Sequence, residues 1–197
     1  MARPRSDCTI ALPTWSAENG IRMIILRPTN LTWINGSLDD ATDLCAHSSI
    51  DFRIGDTVLV KPSDGDWTVS AAALYLLRTL TQPHTKQQPI TEFLFPCCGN
   101  GIFEVEGRDD VQIVGCNSGI DFEVLCIDDE VILTDRDGTQ FKVALSEWRR
   151  AVCNFSDSVR AFYSASSPKE PEDIWERRSF PKFLAEWSHH RSIVDAA

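Results

Sequence analysis

In "DWTVSAAALYLLRTL", Asp66 to Leu80, the apolar residues Val69, Ala73, Leu76, Leu77 and Leu80 recur at the spacing of one helical face. Thr68 or Ser70 supplies the side-chain oxygen of an N-cap, so the stripe predicts a core helix. The helix must end in "TQPHTKQQP", Thr81 to Pro89, where two prolines remove amide donors and polar residues mark a surface loop.

From Thr91 to Leu145 the period changes to two. Phe103 and Val105 alternate with Glu104 and Glu106. Ile120, Phe122, Val124 and Cys126 alternate with Asp121, Glu123 and Leu125, and Phe141, Val143 and Leu145 share a face. This alternation predicts half-buried antiparallel strands. The links "EGRDD", "GCNSG", "IDDE" and "DRDG" carry the Gly, Asn and Asp that reverse a chain. A meander of about five short strands follows from strand lengths of the usual order.

Helical spacing returns in "LSEWRRAVCNFSDSVRAFYSAS", where Trp148, Val152, Phe155, Val159 and Phe162 form a stripe and Ser146 stands where an N-cap belongs. This stripe is expected to cover the apolar face of the meander. "SSPKEPED" is a linker-like break. "SFPKFLAEWSHHR" then predicts a short terminal helix capped by Ser179, with Pro181 in its first turn and Phe180, Phe183, Leu184 and Trp187 docking it. In the first fifty residues, "GIRMIILRP" and "LTWING" read as two strands divided at Pro28, and "IDFRIGDTVLV" as a hairpin turning at Gly55-Asp56. The expected fold is α+β, a mostly antiparallel β-meander packed against two or three helices. Residues 1–165 form its globular body, and residues 166–197 a linker and helix docked on the same domain.

Composition narrows the function. The 197 residues are 43% apolar, enough for one buried core, and carry a net charge of −10. That charge argues against a nucleic-acid binder, which neutralises phosphates with clustered Lys and Arg. The longest apolar runs, such as Met23 to Leu26, are far below the ~20 residues of a bilayer span. "MARPRSDCTIALPTW" lacks the continuous apolar segment of an export signal. Seven cysteines, an odd number in a chain with an ample core, read as reduced thiols in a cytosol. The sequons at Asn30, Asn35 and Asn154 are then chance matches.

"LFPCCGNG" places Cys97 and Cys98 side by side before a Gly-Asn-Gly turn. Adjacent cysteines do not make a zinc knuckle, which spaces its thiolates by two to four residues. Cys116, His84 and His47 are the nearest supplements by turn placement, without ligand spacing among them. A reactive thiol needs a nearby cation or helix N-terminus, and "FPCCGNG" contains no Lys, Arg or His. Cys126 and Cys153 read as small hydrophobes, and His189-His190 as a polar helix end. No phosphate-binding loop, nucleophile elbow, metalloprotease helix or dinucleotide fingerprint occurs. The sequence assigns no catalytic residue, metal or cofactor.

Charge is more informative. Between Glu104 and Asp137 eleven acids stand against Arg108 and Arg136, a local balance of −9 within the −10 of the whole chain. Glu104, Glu106, Asp121 and Glu123 are expected to share an outward face. Asp109, Asp110, Asp128, Asp129 and Glu130 crowd the turns. These nine acids are the candidate partner-binding residues: matched potential speeds association with a basic protein. The alternative is a solvated face that keeps the chain soluble.

Taken together, "WTVSAAALYLLRTL", "LFPCCG", "VQIVGCNSGIDFEV" and "SEWRRAVCNFSDSVRAFYSASSPKEP" resemble a group of small bacterial proteins similar to immunity proteins of interbacterial toxin systems. The resemblance spans roughly residues 50–190 and leaves the first fifty outside. It implies a compact cytosolic protein that blocks one toxin; joined to the acidic meander, it leads to the expectation of a non-enzymatic binding protein with a basic toxin or effector domain as partner and no cofactor. A different class is a small metal- or thiol-dependent enzyme centred on Cys97, Cys98, Cys116 and His84. A third is a housekeeping interaction module. A toxin-bearing gene immediately upstream favours the first.

Overall fold

A computed structural model describes residues 23–36, 38–99 and 101–195. The stretch read for an export signal, Gly20 to Arg22 of the first expected strand, Cys8, and Asn100 of the Gly-Asn-Gly turn lie outside the described residues.

The β-branched and aliphatic run after Met23 forms β1 (Ile24–Pro28), which pairs antiparallel with β3 (Ile50–Ile54). Gly55, at φ 58°, turns β3 into β4 (Thr57–Val60), completing the sheet β1-β3-β4. The strand expected in "LTWING" is reduced to the single bridges Thr32–His47 and Trp33–Gly36. Two short antiparallel pairs follow. β2 (His47–Ser48) joins β5 (Trp67–Thr68), and β6 (Phe95–Pro96) joins β9 (Gly119–Ile120).

The expected meander is divided. β7 (Gly101–Glu104) and β8 (Val111–Val114) make a hairpin of their own, inserted between β6 and β9. β10 (Glu123–Ile127), β11 (Glu130–Thr134) and β12 (Gln140–Ala144) make a separate three-stranded meander. Its inner rows agree with the alternation: Phe122, Val124, Val131, Leu133, Phe141 and Val143 are buried. In β7 the faces are reversed. Ile102 is buried and Phe103 is 44% exposed, because the inward position at Glu104 meets cations of the C-terminal helix.

Helix α1 (Val69–Arg78) has all ten of its residues buried. The expected amphipathic stripe is therefore a central helix, enclosed by α2 (Leu145–Ala165), α3 (Ile174–Asp195) and β6. Trp148, Val152, Phe155 and Val159 are buried as their spacing requires, but α2 lies chiefly on β1 and α1 and only lightly on β11 and β12. Burial of each such side chain contributes roughly 1.5–3 kcal/mol.

Thr68 holds the N-cap position of α1 as expected, though without a side-chain capping hydrogen bond, and the starts of α2 and α3 differ from the caps expected. β12 runs directly into α2, so Ala144 holds the N-cap position, and the Leu145 amide donates to the Asp129 carbonyl at 2.8 Å instead of to a side chain. α3 begins five residues before Ser179. Asp173 Oδ1 accepts from the Trp175 and Glu176 amides, both at 2.7 Å, as an N-cap carboxylate does. Pro181 thereby falls inside the helix. Phe180, Phe183 and Trp187 dock α3 as expected. No helix among the described residues is long and apolar enough to cross a membrane.

Candidate functional site

The nine candidate acids do not share one face. Glu104 is turned toward α3, where Lys182 Nζ lies 2.9 Å and Arg178 Nη1 3.8 Å away. The hydrogen bond from Lys182 holds its carboxyl below the usual range. Asp110 is held by the Arg108 guanidinium on the same hairpin, whereas Glu106 and Asp109 stand exposed near its tip. Asp121 also turns inward, accepting from His84 Nε2 at 2.9 Å and from the Leu94 amide at 3.1 Å. The expectation that Glu104, Glu106, Asp121 and Glu123 point to one side fails because two of them have internal partners.

The other four acids collect around a single surface. On the outer face of the β10-β11-β12 sheet, cross-strand pairing sets Leu125 opposite Ile132 and Ile127 opposite Glu130. Leu125 is 37% and Ile127 47% exposed. Glu123 closes one corner, its Oε1 accepting from the Lys86 amide at 3.2 Å. Asp128, Asp129 and Glu130 close the opposite end at the β10–β11 turn, where Asp128 occupies the left-handed region at φ 52° that Asp tolerates. Lys142, across the strands from Glu130 at 3.4 Å, borders the third side. An apolar centre within a charged rim is the anatomy of a protein-binding patch.

Three of the four residues considered for thiol or metal chemistry do come together. Gly115 lets the chain at Cys116 press on the chain at Cys98: a Cβ there would stand 1.9 Å from the Cys98 carbonyl oxygen. The Cys116 amide donates to Cys98 Sγ at 2.9 Å, and the Cys97 amide donates to the Ser118 carbonyl at 2.9 Å. From the end of β5, the Thr68 hydroxyl donates to the Cys97 carbonyl at 3.4 Å.

Cys116 is exposed, and its thiol lies below the ordinary value through the hydrogen bond from Cys98. The same bond raises Cys98, and partial burial raises Cys97. Cys45, behind this loop, is buried and pushed up to about 12. No group of three or more His, Cys, Asp or Glu side chains among the described residues is arranged to hold a metal ion.

His84 does not join the thiols. It is buried, its Nδ1 accepts from the Ile90 amide at 3.0 Å, and its Nε2 therefore carries the proton donated to Asp121. It pins its loop to the sheet edge through the Val124 bridge. A cleft of about 560 Å³ runs from Cys98 and Cys116 past Ile113 to Arg108 and Arg78.

One feature escaped the sequence entirely. Arg78 donates to Glu186 through Nε at 2.7 Å and Nη2 at 3.0 Å, and to the Val111 carbonyl at 2.7 Å, while the Val111 amide donates back to Glu186 at 2.8 Å. Burial would raise the Glu186 carboxyl. Hydrogen bonds from His190 and Arg78, the Arg78 charge and the Val111 amide outweigh it and hold the group at about 2.

These elements define an α+β protein with two candidate surfaces, an acidic-rimmed sheet face and a thiol-ended cleft. Compared with family models, curated proteins and solved structures, the chain matches none.

Proposed function

We propose that this protein is a non-enzymatic binding protein of the immunity type, which inhibits a basic toxin or effector domain by covering it with the outer face of the β10-β11-β12 sheet. The observation that carries this reading is the juxtaposition on that face of exposed Leu125 and Ile127 with Glu123, Asp128, Asp129 and Glu130. Solvation alone accounts for the acids but not for aliphatic side chains left open between them. In an interface the apolar centre is desolvated and supplies affinity, while the carboxylates select a cationic partner and steer its approach. Lys and Arg of the partner that otherwise bind phosphates would then be occupied by carboxylates.

The first partner to test is the product of the adjoining gene. Association is measured at two ionic strengths for the parent and for Asp128→Lys/Glu130→Lys. The expected result is slower association and a flatter salt dependence in the variant, with unchanged circular dichroism. Tight binding that ignores both salt and the reversals counts against this surface.

A further inference from the structure

The cleft opposes two thiols that the binding reading leaves unused. Cys98 and Cys116 both line it, together with Gly99, Gly115 and Asn117, and Cys97 does not. Sγ of Cys98 is 2.9 Å from the Cys116 amide nitrogen. That nitrogen is about 1.5 Å from its own Cα, so the sulfur lies within about 4.4 Å of the Cys116 Cα, and rotation about χ1 of Cys116 can bring the sulfurs to bonding distance. The backbones are held at this approach by Gly115 against the Cys98 carbonyl and by the β6–β9 pairing with its Cys97–Ser118 extension. The adjacent pair Cys97–Cys98 is a poor alternative, because neighbouring Cα atoms are about 3.8 Å apart, below the usual disulfide range of roughly 4.4–6.8 Å. Cys45 and Cys153 are buried.

From this geometry we infer that Cys98 and Cys116 form a reversible dithiol–disulfide pair at the end of the cleft, with exposed Cys116 as the attacking thiol and half-buried Cys98 as the resolving one. The oxidant is a low-molecular-weight disulfide. The Cys116 thiolate attacks one sulfur of the incoming disulfide, forming a mixed disulfide and releasing one thiolate, which takes up the proton that Cys116 gave up. Cys98 then loses its proton, attacks Cys116 Sγ, and expels the second thiolate, which accepts that proton. The two protein thiols are oxidised by two electrons, and one disulfide becomes two thiols. Such bridges in reducing compartments are transient and signalling in character, not structural. Its consequence is local: the bridge joins the β6–β7 connection to the β8–β9 connection and narrows the cleft at that end.

The test uses the full reduced chain, exposed to oxidised glutathione under native conditions, alkylated, digested and mapped by mass spectrometry. The expected result is loss of two thiols per chain, a linked Cys98–Cys116 peptide pair and full reversal by dithiothreitol. Cys97→Ser should leave the linkage intact. Cys98→Ser should stop the reaction at one glutathione on Cys116, and Cys116→Ser should abolish it. The inference is overturned by linkage of Cys97 or any other cysteine in the parent protein. It is also overturned by a stable glutathione adduct on Cys116 with Cys98 present, or by no loss of thiol while the circular dichroism stays native.

Discussion

Replacing Glu186 by Leu removes the carboxylate that pairs with Arg78 in its buried site, taking from the guanidinium its counter-charge and from the Val111 amide its acceptor. Breaking one member of a buried ion pair costs roughly 3–5 kcal/mol, and that is the loss expected for Glu186→Leu in urea unfolding at pH 7. Arg78→Met/Glu186→Leu removes both charges at similar volume. It should recover about 2 kcal/mol, the remainder reflecting the two unpaired Val111 groups at about 1–3 kcal/mol each before repacking.

The same carboxylate sets an acid limit. Its folded value of about 2 lies below the ordinary value of 4.5, so the folded state prefers the ionised form. Its stabilisation is complete above about pH 4.5, where both states are ionised, and is lost as pH falls toward 2. The shift is worth ~3 kcal/mol at about 1.4 kcal/mol per unit. Urea titrations of parent and double variant between pH 6 and 2 read this share by difference. Parallel curves, or a Glu186→Leu loss under about 1 kcal/mol, would refute the account of the pair.

Leu77→Ala and Phe155→Ala, both at fully buried sites, should each lose on the order of 2–5 kcal/mol in urea titration; parental stability in either would mean the helical faces are misassigned. Gly115→Ala forces a Cβ against the Cys98 carbonyl oxygen at 1.9 Å and should lose about 1–3 kcal/mol by overpacking, with a lower melting temperature as the readout. Purified protein should contain no stoichiometric zinc and melt at the same temperature with and without chelator, since a structural zinc contributes folding free energy directly; elemental analysis checks this.

Most of the secondary structure was legible because its signals are local. The period-two rows of β10 and β12 and the stripe of α2 required only residues a few positions apart. What failed depended on partners distant in sequence. Glu104 broke the alternation in β7 because Lys182 waits on α3, and the meander was cut because β6 finds β9 across an inserted hairpin. No local pattern at Arg78 points to Glu186, 108 positions on, which draws it into the core. Ser179 and Pro181 mimic a helix start, but Asp173 offers its carboxylate to two amides earlier in the chain.

At the candidate site, the acid-rich composition around Glu123 and Asp128 to Glu130 was visible, as was the oddity of Cys97-Cys98. Neither the internal pairing of Asp121 nor the meeting of Cys98 with Cys116 follows from spacing. A glycine next to each of Cys98 and Cys116 was the available clue, since close backbone approach is what glycine permits.

Whether the outer face of the β10-β11-β12 sheet meets a basic partner is decided by amide hydrogen exchange on the protein alone and in complex with the product of the adjoining gene. New protection is expected in residues 123–132, lost together with binding in Leu125→Asp/Ile127→Asp while the free variant keeps the parental exchange pattern elsewhere. Protection confined to the cleft around Cys98, Ile113 and Cys116, with residues 123–132 unchanged, would contradict it.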